Sequence, residues 1–268
     1  MRILPGLAIC IVLSVLVLGP LLTTLPLKDY FTHKYTWGYL QNIALHIVYY
    51  LPGVFEHNRV ANAVNGSLWS LPVEFLMYIM VALIGLLHGS RWLTAALAVV
   101  SATISLFWAQ VSTEMLVVYN FDLRQAFICG TYFWVGACFY KFGLGRYLTL
   151  SNAMLAIFAM LCLEPWTRVL AMASWWLLPF VVLAFGLAHS PLLERLTSSG
   201  DYSYGIYIYA FPVQQTVVYL WPEITIGWYL LVCTLGTLTF ALLSWHLVEH
   251  RALALKPGRR PVSTLNNA

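Results

Sequence analysis

Residues Asn65–Phe75, with the sequence NGSLWSLPVEF, lead into an apolar run that continues to Leu87. Counted from Leu68, the segment 68–88 is long enough for a bilayer-spanning helix, which needs about 20 residues. Glu74 places a carboxylate inside it, and a charge there costs a few kcal/mol even on lenient insertion scales. Serine, asparagine and tryptophan side chains stand beside this carboxylate. The combination predicts a functional site at the edge of a membrane span.

The composition predicts an integral membrane protein. Of the 268 residues, 61% are hydrophobic and only 9% are charged, whereas soluble domains carry about 25% charge. Mean hydropathy is +0.78. Polar side chains are too few to cover the surface of a soluble globule of this size. We therefore predict an all-α, polytopic bundle of transmembrane helices. The modest net charge of +4 fits such a topology and calls for no nucleic-acid partner.

Hydropathy in a window of about twenty residues predicts about eight spans. They lie at roughly 5–25, 68–88, 92–110, 124–141, 147–163, 168–189, 203–221 and 226–247. We predict a single transmembrane domain over 1–255 and a disordered cytoplasmic tail over 256–268, which holds little besides proline, glycine, arginine and asparagine. The first run is followed by a poor cleavage site, which favours a retained helix over a signal peptide.

The distribution of basic residues predicts the orientation. With the amino terminus inside, the inner segments hold Arg2, Arg91, Lys141, Arg146, Arg195, Arg251, Lys256, Arg259 and Arg260. The outer segments hold Lys28, Lys34, Arg59, Arg124 and Arg168. Because cytoplasmic loops carry the excess of Lys and Arg, both termini are predicted to be cytoplasmic.

Two further features concern the loop and the cysteines. The outer segment 26–66 is rich in aromatic residues and histidine, and it is longer than a connector needs, so it is a candidate for function. An interfacial helix around Thr36–Tyr50 is one interpretation, and an aromatic belt that anchors the loop is the alternative. The five cysteines fall in apolar spans and have no metal-motif spacing, so we predict free thiols and no metal site.

Four segments, in this order and spacing, resemble motifs of the acyltransferase-3 family, multi-pass membrane O-acyltransferases that modify bacterial carbohydrates. They are Asn65–Phe75, Phe133–Tyr140 (FWVGACFY), Asp201–Tyr209 (DYSYGIYIY) and Ser244–Glu249 (SWHLVE). The resemblance covers nearly the whole chain. It implies a location in the bacterial inner membrane, with the lipid bilayer as partner.

The same resemblance implies transfer of an acyl group, most simply acetyl, from acyl-CoA to a carbohydrate or a lipid-linked sugar. Acyl-CoA would be a donor substrate rather than a bound cofactor, and Arg2 could contact its phosphates. Met1–Pro5 resembles the entry to the family's third span. By that register the first two helices and their histidine are missing, so we expect a shortened member, a late reading-frame start or an inactive relative.

The chemistry assigns roles within the first motif. Acyl transfer to a hydroxyl needs a base for its proton and donors for the developing oxyanion. Glu74 is the candidate base, and His57, just upstream, is a candidate replacement for the missing histidine. Four neighbouring residues are candidates for binding substrate, with helix capping and interface anchoring as alternatives: Asn65, Ser67, Trp69 and Ser70.

Further substrate-binding candidates lie later in the chain. Arg124 could pair with Glu74 or an anionic acceptor, and a local ion pair with Asp122 is the default interpretation. The late helix contributes Ser203, Tyr204 and Tyr207, whose hydroxyls could face a substrate or lie in an aromatic belt. A different class of function, a non-catalytic membrane protein that binds or moves a glycolipid or small solute, is the alternative. Without the family's first two helices, interior faces of the bundle would be uncovered, and a second copy of the chain in a homo-oligomer could cover them.

Overall fold

The structure is a computed structural model that describes residues 3–86, 89–109, 113–188 and 200–254. Its regular elements are nearly all helices, which confirms the all-α prediction. The two strands in the described chain, β1 (Val117–Val118) and β2 (Phe121–Asp122), form a single short antiparallel pair.

The helices follow one another with few long connections. In chain order they are α1 (Ile3–Leu13), α2 (Gly19–Leu22), α3 (Leu27–Thr32), α4 (Lys34–Gly38), α5 (Ser70–Leu86), α6 (Arg91–Ile104), α7 (Leu123–Lys141), α8 (Leu150–Leu163), α9 (Thr167–Leu187), α10 (Ser203–Leu220), α11 (Ile226–Ser244) and α12 (His250–Ala254). Short 3₁₀ turns lie at Tyr39–Ala44, Gly66–Trp69 and Leu144–Tyr147. π-Helical turns lie at Ser14–Leu18, Ser105–Ala109 and Trp245–Glu249.

Five continuous helices within the described residues are long and apolar enough to cross a membrane. They are Ile3–Leu22, Gly66–Leu86, Arg91–Trp108, Thr167–Leu187 and Ile226–Ala254. This fits a membrane protein, but the predicted count of about eight spans is not confirmed. Helices do form at the other three predicted places, but α8 has only 14 residues. At 1.5 Å per residue it is about 21 Å long, shorter than the hydrocarbon core of about 30 Å.

The chain divides into two compact units. The first contains Met1–Leu68 and Thr197–Ala268, and the second contains Trp69–Leu196. In the first unit α10 and α11 approach closely at Gly205, where an added Cβ would lie 2.8 Å from the Cα of Ala241. Small residues at such crossings let helix backbones touch in membrane proteins. α1 packs against α10 through Cys10, Ile208 and Tyr209.

The second unit is held together by apolar side chains from three neighbouring helices. α5, α6 and α7 contribute to its core, which contains Met77, Ile84, Ala98, Trp134 and Val135. α8 and α9 complete this unit. Within its described part, side-chain bonds between separate helices include Tyr132 Oη to Ser174 Oγ at 3.1 Å. The helices of this unit pack mainly through their apolar core.

The predicted loop 26–66 contains more helix than a simple connector. α3, α4 and a 3₁₀ turn occupy its first part through Ala44, and no regular element is assigned from Leu45 to Asn65. Tyr30 is fully buried and donates a hydrogen bond to the Val15 carbonyl at 2.9 Å; its burial raises the pKa of the phenol to about 12. Tyr35 and Trp37 remain exposed. Only some of the loop's aromatic residues could therefore serve as a belt.

The five cysteines are all free thiols, as predicted. Cys10 and Cys233 are buried, whereas Cys162 is exposed on α8. The predicted tail 256–268 and Arg2 lie outside the described residues.

Candidate functional site

The segment Phe55–Ser67, which we call the strap, runs along α10 in the opposite chain direction. Its two ends contact opposite ends of the helix: Ser67 meets Tyr207, and the rings of Phe55 and Tyr219 lie 5.8 Å apart, edge to face. Between these ends, a Cβ added at Gly66 would lie 2.7 Å from the ring of Phe211. From residue 207 to residue 219 the helix rises about 18 Å. The strap therefore runs along most of the length of α10.

Gln215 of α10 binds the part of the strap between Asn58 and Ala63. Gln215 Nε2 donates to the carbonyls of Val60 and Ala63, each at 2.7 Å. Asn58 Nδ2 lies 2.9 Å from the Gln215 carbonyl and 3.2 Å from its Oε1. Gln215 is only 6% exposed. Its side chain thus supplies donors and an acceptor to a loop that has no regular secondary structure.

The end of the strap near Ser67 contains two of the predicted substrate-binding residues, Asn65 and Ser67, and contacts a third, Tyr207, on α10. Asn65 is fully buried, and its Nδ2 donates to the Ile208 carbonyl at 2.8 Å. Asn65 Oδ1 accepts from the Ser67 backbone N–H at 3.2 Å and lies 2.6 Å from Ser67 Oγ. The Tyr207 hydroxyl donates to the Ser67 carbonyl. Asn65, Ser67 and Tyr207 are therefore brought together, with their polar atoms directed at one another and at backbone.

This arrangement explains how the chain enters α5. An asparagine that accepts from the N–H two residues later forms an Asx turn, which reverses the backbone locally. The turn leads into the 3₁₀ segment Gly66–Trp69 and then into α5. Pro72 lies in the first turn of α5, just after the change from 3₁₀ to α-helix. The first motif therefore contains the signals for starting this helix.

Ser203 and Tyr204 lie at the start of α10. Ser203 Oγ is 2.6 Å from Asp201 Oδ1, which also accepts from the Ser203 N–H at 3.2 Å. The Tyr204 hydroxyl donates to the Ile3 carbonyl at 2.9 Å and thereby joins α10 to α1. Both hydroxyls make contacts that position the helix. A substrate role for either stays a prediction.

Glu74 lies in the first half of α5, in the second unit. Its side chain is half-buried, and Tyr78, one turn further along, donates its hydroxyl to Glu74 Oε1. Tyr78 is 47% exposed and Trp69 is 38% exposed, while Ser70 is half-buried. In the part of the chain that the structure describes, no cation is paired with this carboxylate. Glu74 is thus a carboxylate held by a tyrosine and still accessible.

Arg124 forms the local ion pair that was the default interpretation. Its Nη2 lies 2.7 Å from Asp122 Oδ2, and its Nε lies 2.8 Å from the same oxygen. Asp122 also caps α7 by accepting from the Arg124 backbone N–H at 3.1 Å. The hydrogen bonds from Arg124 hold the pKa of the Asp122 carboxyl below its ordinary value. A role for Arg124 in binding an anionic acceptor stays a prediction.

His57, the candidate replacement base, is exposed in the strap between Glu56 and Asn58. The position leaves its imidazole accessible from solvent. The proposed contact of Arg2 with acyl-CoA falls on a residue that the structure does not describe.

Glu249 is a residue to which the sequence analysis gave no role of its own. It is fully buried in the π-helical turn after α11, and Ser244 Oγ donates to its Oε1 at 2.8 Å. Gly6 of α1 lies beside it, since a Cβ added there would be in ordinary contact with Glu249 Cγ, at 3.5 Å. A carboxylate at the end of a long apolar run is the signal that points to it, as it did for Glu74. π-Helical turns often occur at functional sites.

Comparison with known proteins finds one informative similarity. The chain is 28% identical over 265 residues to an O-acetyl transferase of Shigella phage Sf6; the match covers 94% of this chain and 74% of that protein. No family model matches the chain, and no solved structure matches it. The similarity supports acetyl transfer as its general activity and does not favour the binding or transport alternative.

Proposed function

We propose that this chain is a membrane-bound O-acetyltransferase of the acyltransferase-3 type. It would transfer an acetyl group from acetyl-CoA to a hydroxyl of a carbohydrate or glycolipid. The observation that carries the proposal is the similarity to an O-acetyl transferase along 94% of the chain, together with an accessible carboxylate in an apolar helix. The five long apolar helices support a place in the membrane.

In this proposal Glu74 is the general base. The acceptor oxygen attacks the thioester carbonyl while the carboxylate takes the hydroxyl proton, and the thiolate leaves and is protonated as the ester forms. Tyr78, which donates to Glu74 Oε1, holds the carboxylate in place and leaves Oε2 for the acceptor. His57 is the second candidate base, because it is exposed and histidine is the side chain that most often serves as a general base.

The orientation in the membrane belongs to the same proposal. Both termini would be cytoplasmic in the bacterial inner membrane, with acetyl-CoA arriving from the cytoplasm and Arg2 near its phosphates. The acceptor would arrive from the opposite side, where the strap is predicted to lie. Asn65, Ser67 and Tyr207 would then support the acceptor path by holding the strap on α10, a positioning role that agrees with their internal hydrogen bonds.

The test is acetyl transfer from radiolabelled acetyl-CoA in membranes that contain this chain. Glu74→Gln should reduce label in the lipid-linked or polysaccharide fraction by about 100-fold or more, because loss of general base catalysis costs at least that much. Glu164→Gln, an exposed carboxylate of the same unit, is the matched control and should transfer normally. His57→Gln tests the second base.

Absence of transfer from the unaltered chain would contradict the proposed activity. Equal transfer by the chain and by Glu74→Gln would contradict the role of Glu74. A loss that appears with His57→Gln instead would identify the strap histidine as the base.

A further inference from the structure

A cavity of about 430 Å³ lies between the strap, α10 and the start of α11. Its lining includes Arg59 and Val60 from the strap, Phe211 and Gln214 from α10, and Tyr229 from α11. All of these residues belong to the first unit. The volume lies within the range of about 300–1,000 Å³ that is common for small-molecule sites. None of the roles derived above uses this cavity.

Arg59 is the charged residue of the cavity lining, and it is available for a ligand. Its side chain is exposed and makes no hydrogen bond or ion pair with any residue that the structure describes. By contrast, Arg124 is committed to Asp122. A guanidinium at the wall of a cavity, with no partner among the described residues, is well suited to a carboxylate or a phosphate, which it can bind with two parallel hydrogen bonds.

The backbone on both sides of Arg59 is held in place. Asn58 donates to Gln215, and Gln215 donates to the Val60 carbonyl. The residue before Arg59 and the residue after it are therefore both bonded to α10. Ordering a loop when a ligand binds costs free energy. Here the loop is already ordered in the unbound protein, so binding does not carry that cost. Arg59 is thus presented by a preorganised segment rather than by a free loop.

The other lining residues supply what a sugar ring needs. Gln214 is exposed and makes no hydrogen bond with the described residues, so its amide offers a donor and an acceptor for neighbouring hydroxyls. Phe211 and Tyr229 are half-buried and contribute aromatic surface, against which the apolar face of a sugar ring can pack.

We propose that this cavity binds the acceptor and that Arg59 selects a sugar with a negative charge. The charge would be a carboxylate on the ring or the phosphate through which the sugar is carried; both are oxyanions of the kind that a guanidinium binds. This inference rests on the proposed acetyl transfer, because it names the acceptor class of that reaction. Gln214 would contact the uncharged hydroxyls and so would matter for charged and neutral sugars alike.

Binding can be measured on the full chain in lipid nanodiscs by saturation-transfer NMR. Three probes separate the sources of charge: glucuronate, glucose 1-phosphate and glucose. We expect one of the two anions to bind at least about tenfold more tightly than glucose, since hydrogen bonds to charged groups are the stronger ones. Arg59→Gln should remove this preference. Gln214→Ala should weaken all three probes.

Arg168→Gln is the matched control, because Arg168 is also exposed but does not line the cavity. It should leave the preference for the anion unchanged. A preference for glucuronate identifies a ring carboxylate, and one for glucose 1-phosphate identifies a phosphate. Equal binding of all three sugars, or a preference that survives Arg59→Gln, would overturn the inference.

The outcome is separable from that of the proposed function. If the chain transfers acetyl groups and Arg59→Gln transfers to the same acceptor equally well, the acetyltransferase proposal stands and the cavity is not the acceptor site. If an Arg59-dependent preference for an anion is found without any acetyl transfer, the cavity binds an anionic sugar and the proposed reaction fails.

Discussion

The two units of the chain use polar side chains in different ways. In the first unit, side-chain amides and hydroxyls join segments that are far apart in sequence: Asn65 bonds to Ile208, Gln215 to Val60, and Tyr204 to Ile3. In the second unit the core is apolar, and its notable carboxylate, Glu74, is half-buried with a tyrosine as its donor. Polar side chains therefore join distant segments in the first unit, whereas Glu74 in the second unit remains accessible.

The boundary between the two units falls inside the first motif, Asn65–Phe75. Asn65 and Ser67 belong to the first unit, and their polar atoms are taken up by the strap and α10. Trp69, Ser70 and Glu74 belong to the second unit, and Trp69 is exposed. In a low-dielectric surrounding a buried polar group must be satisfied internally. The first motif therefore has an architectural half, with Asn65 and Ser67, and a reactive half, with Trp69, Ser70 and Glu74.

The largest effect is expected for Gln215→Ala, which tests whether the first unit depends on its amides. Two strap carbonyls would lose their donor, and Asn58 would lose an acceptor, at a cost of about 3 kcal/mol in the free energy of unfolding. Titration with SDS in mixed micelles measures this. The neighbouring Gln214→Ala, on an exposed position, should change stability by less than about 0.5 kcal/mol. Equal losses would show that the strap bonds are not important.

Asn65→Ala should cost about 2 kcal/mol, because the Ile208 carbonyl and the Ser67 N–H both lose a buried partner. Ser67→Ala removes only a hydroxyl and should cost about 1 kcal/mol. An exposed asparagine of the second unit, Asn152, provides the control substitution Asn152→Ala, which should cost less than either. If the control is as destabilising as Asn65→Ala, the contrast between the two units is wrong.

Tyr78→Phe tests the reactive half of the motif. The substitution removes the hydroxyl that donates to Glu74 and leaves the ring, so acetyl transfer should fall by about fivefold while the amount of folded protein stays the same. The effect should be smaller than that of Glu74→Gln, since the carboxylate itself remains. The double variant with Glu74→Gln should be no slower than Glu74→Gln alone. A further loss in the double variant would indicate that Tyr78 acts independently of Glu74.

The smallest effect is expected from the Asp122–Arg124 pair. The pKa of the Asp122 carboxyl is lowered in the folded chain by hydrogen bonds from Arg124, so the pair stabilises the fold above the ordinary aspartate pKa of about 4. That contribution disappears as pH falls through the lowered value. The difference in unfolding temperature between the chain and Asp122→Asn should be small at pH 7 and vanish in acid. A difference that grows on acidification would reverse the sign and contradict this.

Much of the helical layout was predictable because a bilayer span needs a long apolar run, and such runs are visible in the sequence. The helix that contains Glu74 and the helices at 91–108, 167–187 and 226–254 follow directly from this rule. The predicted span at 147–163 shows its limit, since a 14-residue helix forms there and hydropathy alone does not tell whether it crosses.

The roles of individual polar residues were less predictable. Asn65 has the residue type expected of a substrate ligand and of a turn, and only its burial against Ile208 distinguishes the two uses. Glu249 lies in a recognisable motif, but it is completely buried, beside Gly6, which is more than 200 positions away in the sequence. Nothing local marks such a pairing.

The amino-acid sequence thus specifies the helices, the free thiols and the position of Glu74 in a long apolar helix, because local hydropathy and residue type control them. Tertiary packing specifies the strap along α10, the internal use of Asn65 and Ser67, and the cavity with Arg59 at its wall. These features arise where segments about 150 residues apart meet, as Gln215 and Val60 do at a separation of 155. Contacts at that range are selected by the satisfaction of buried polar groups, which is a property of the folded chain.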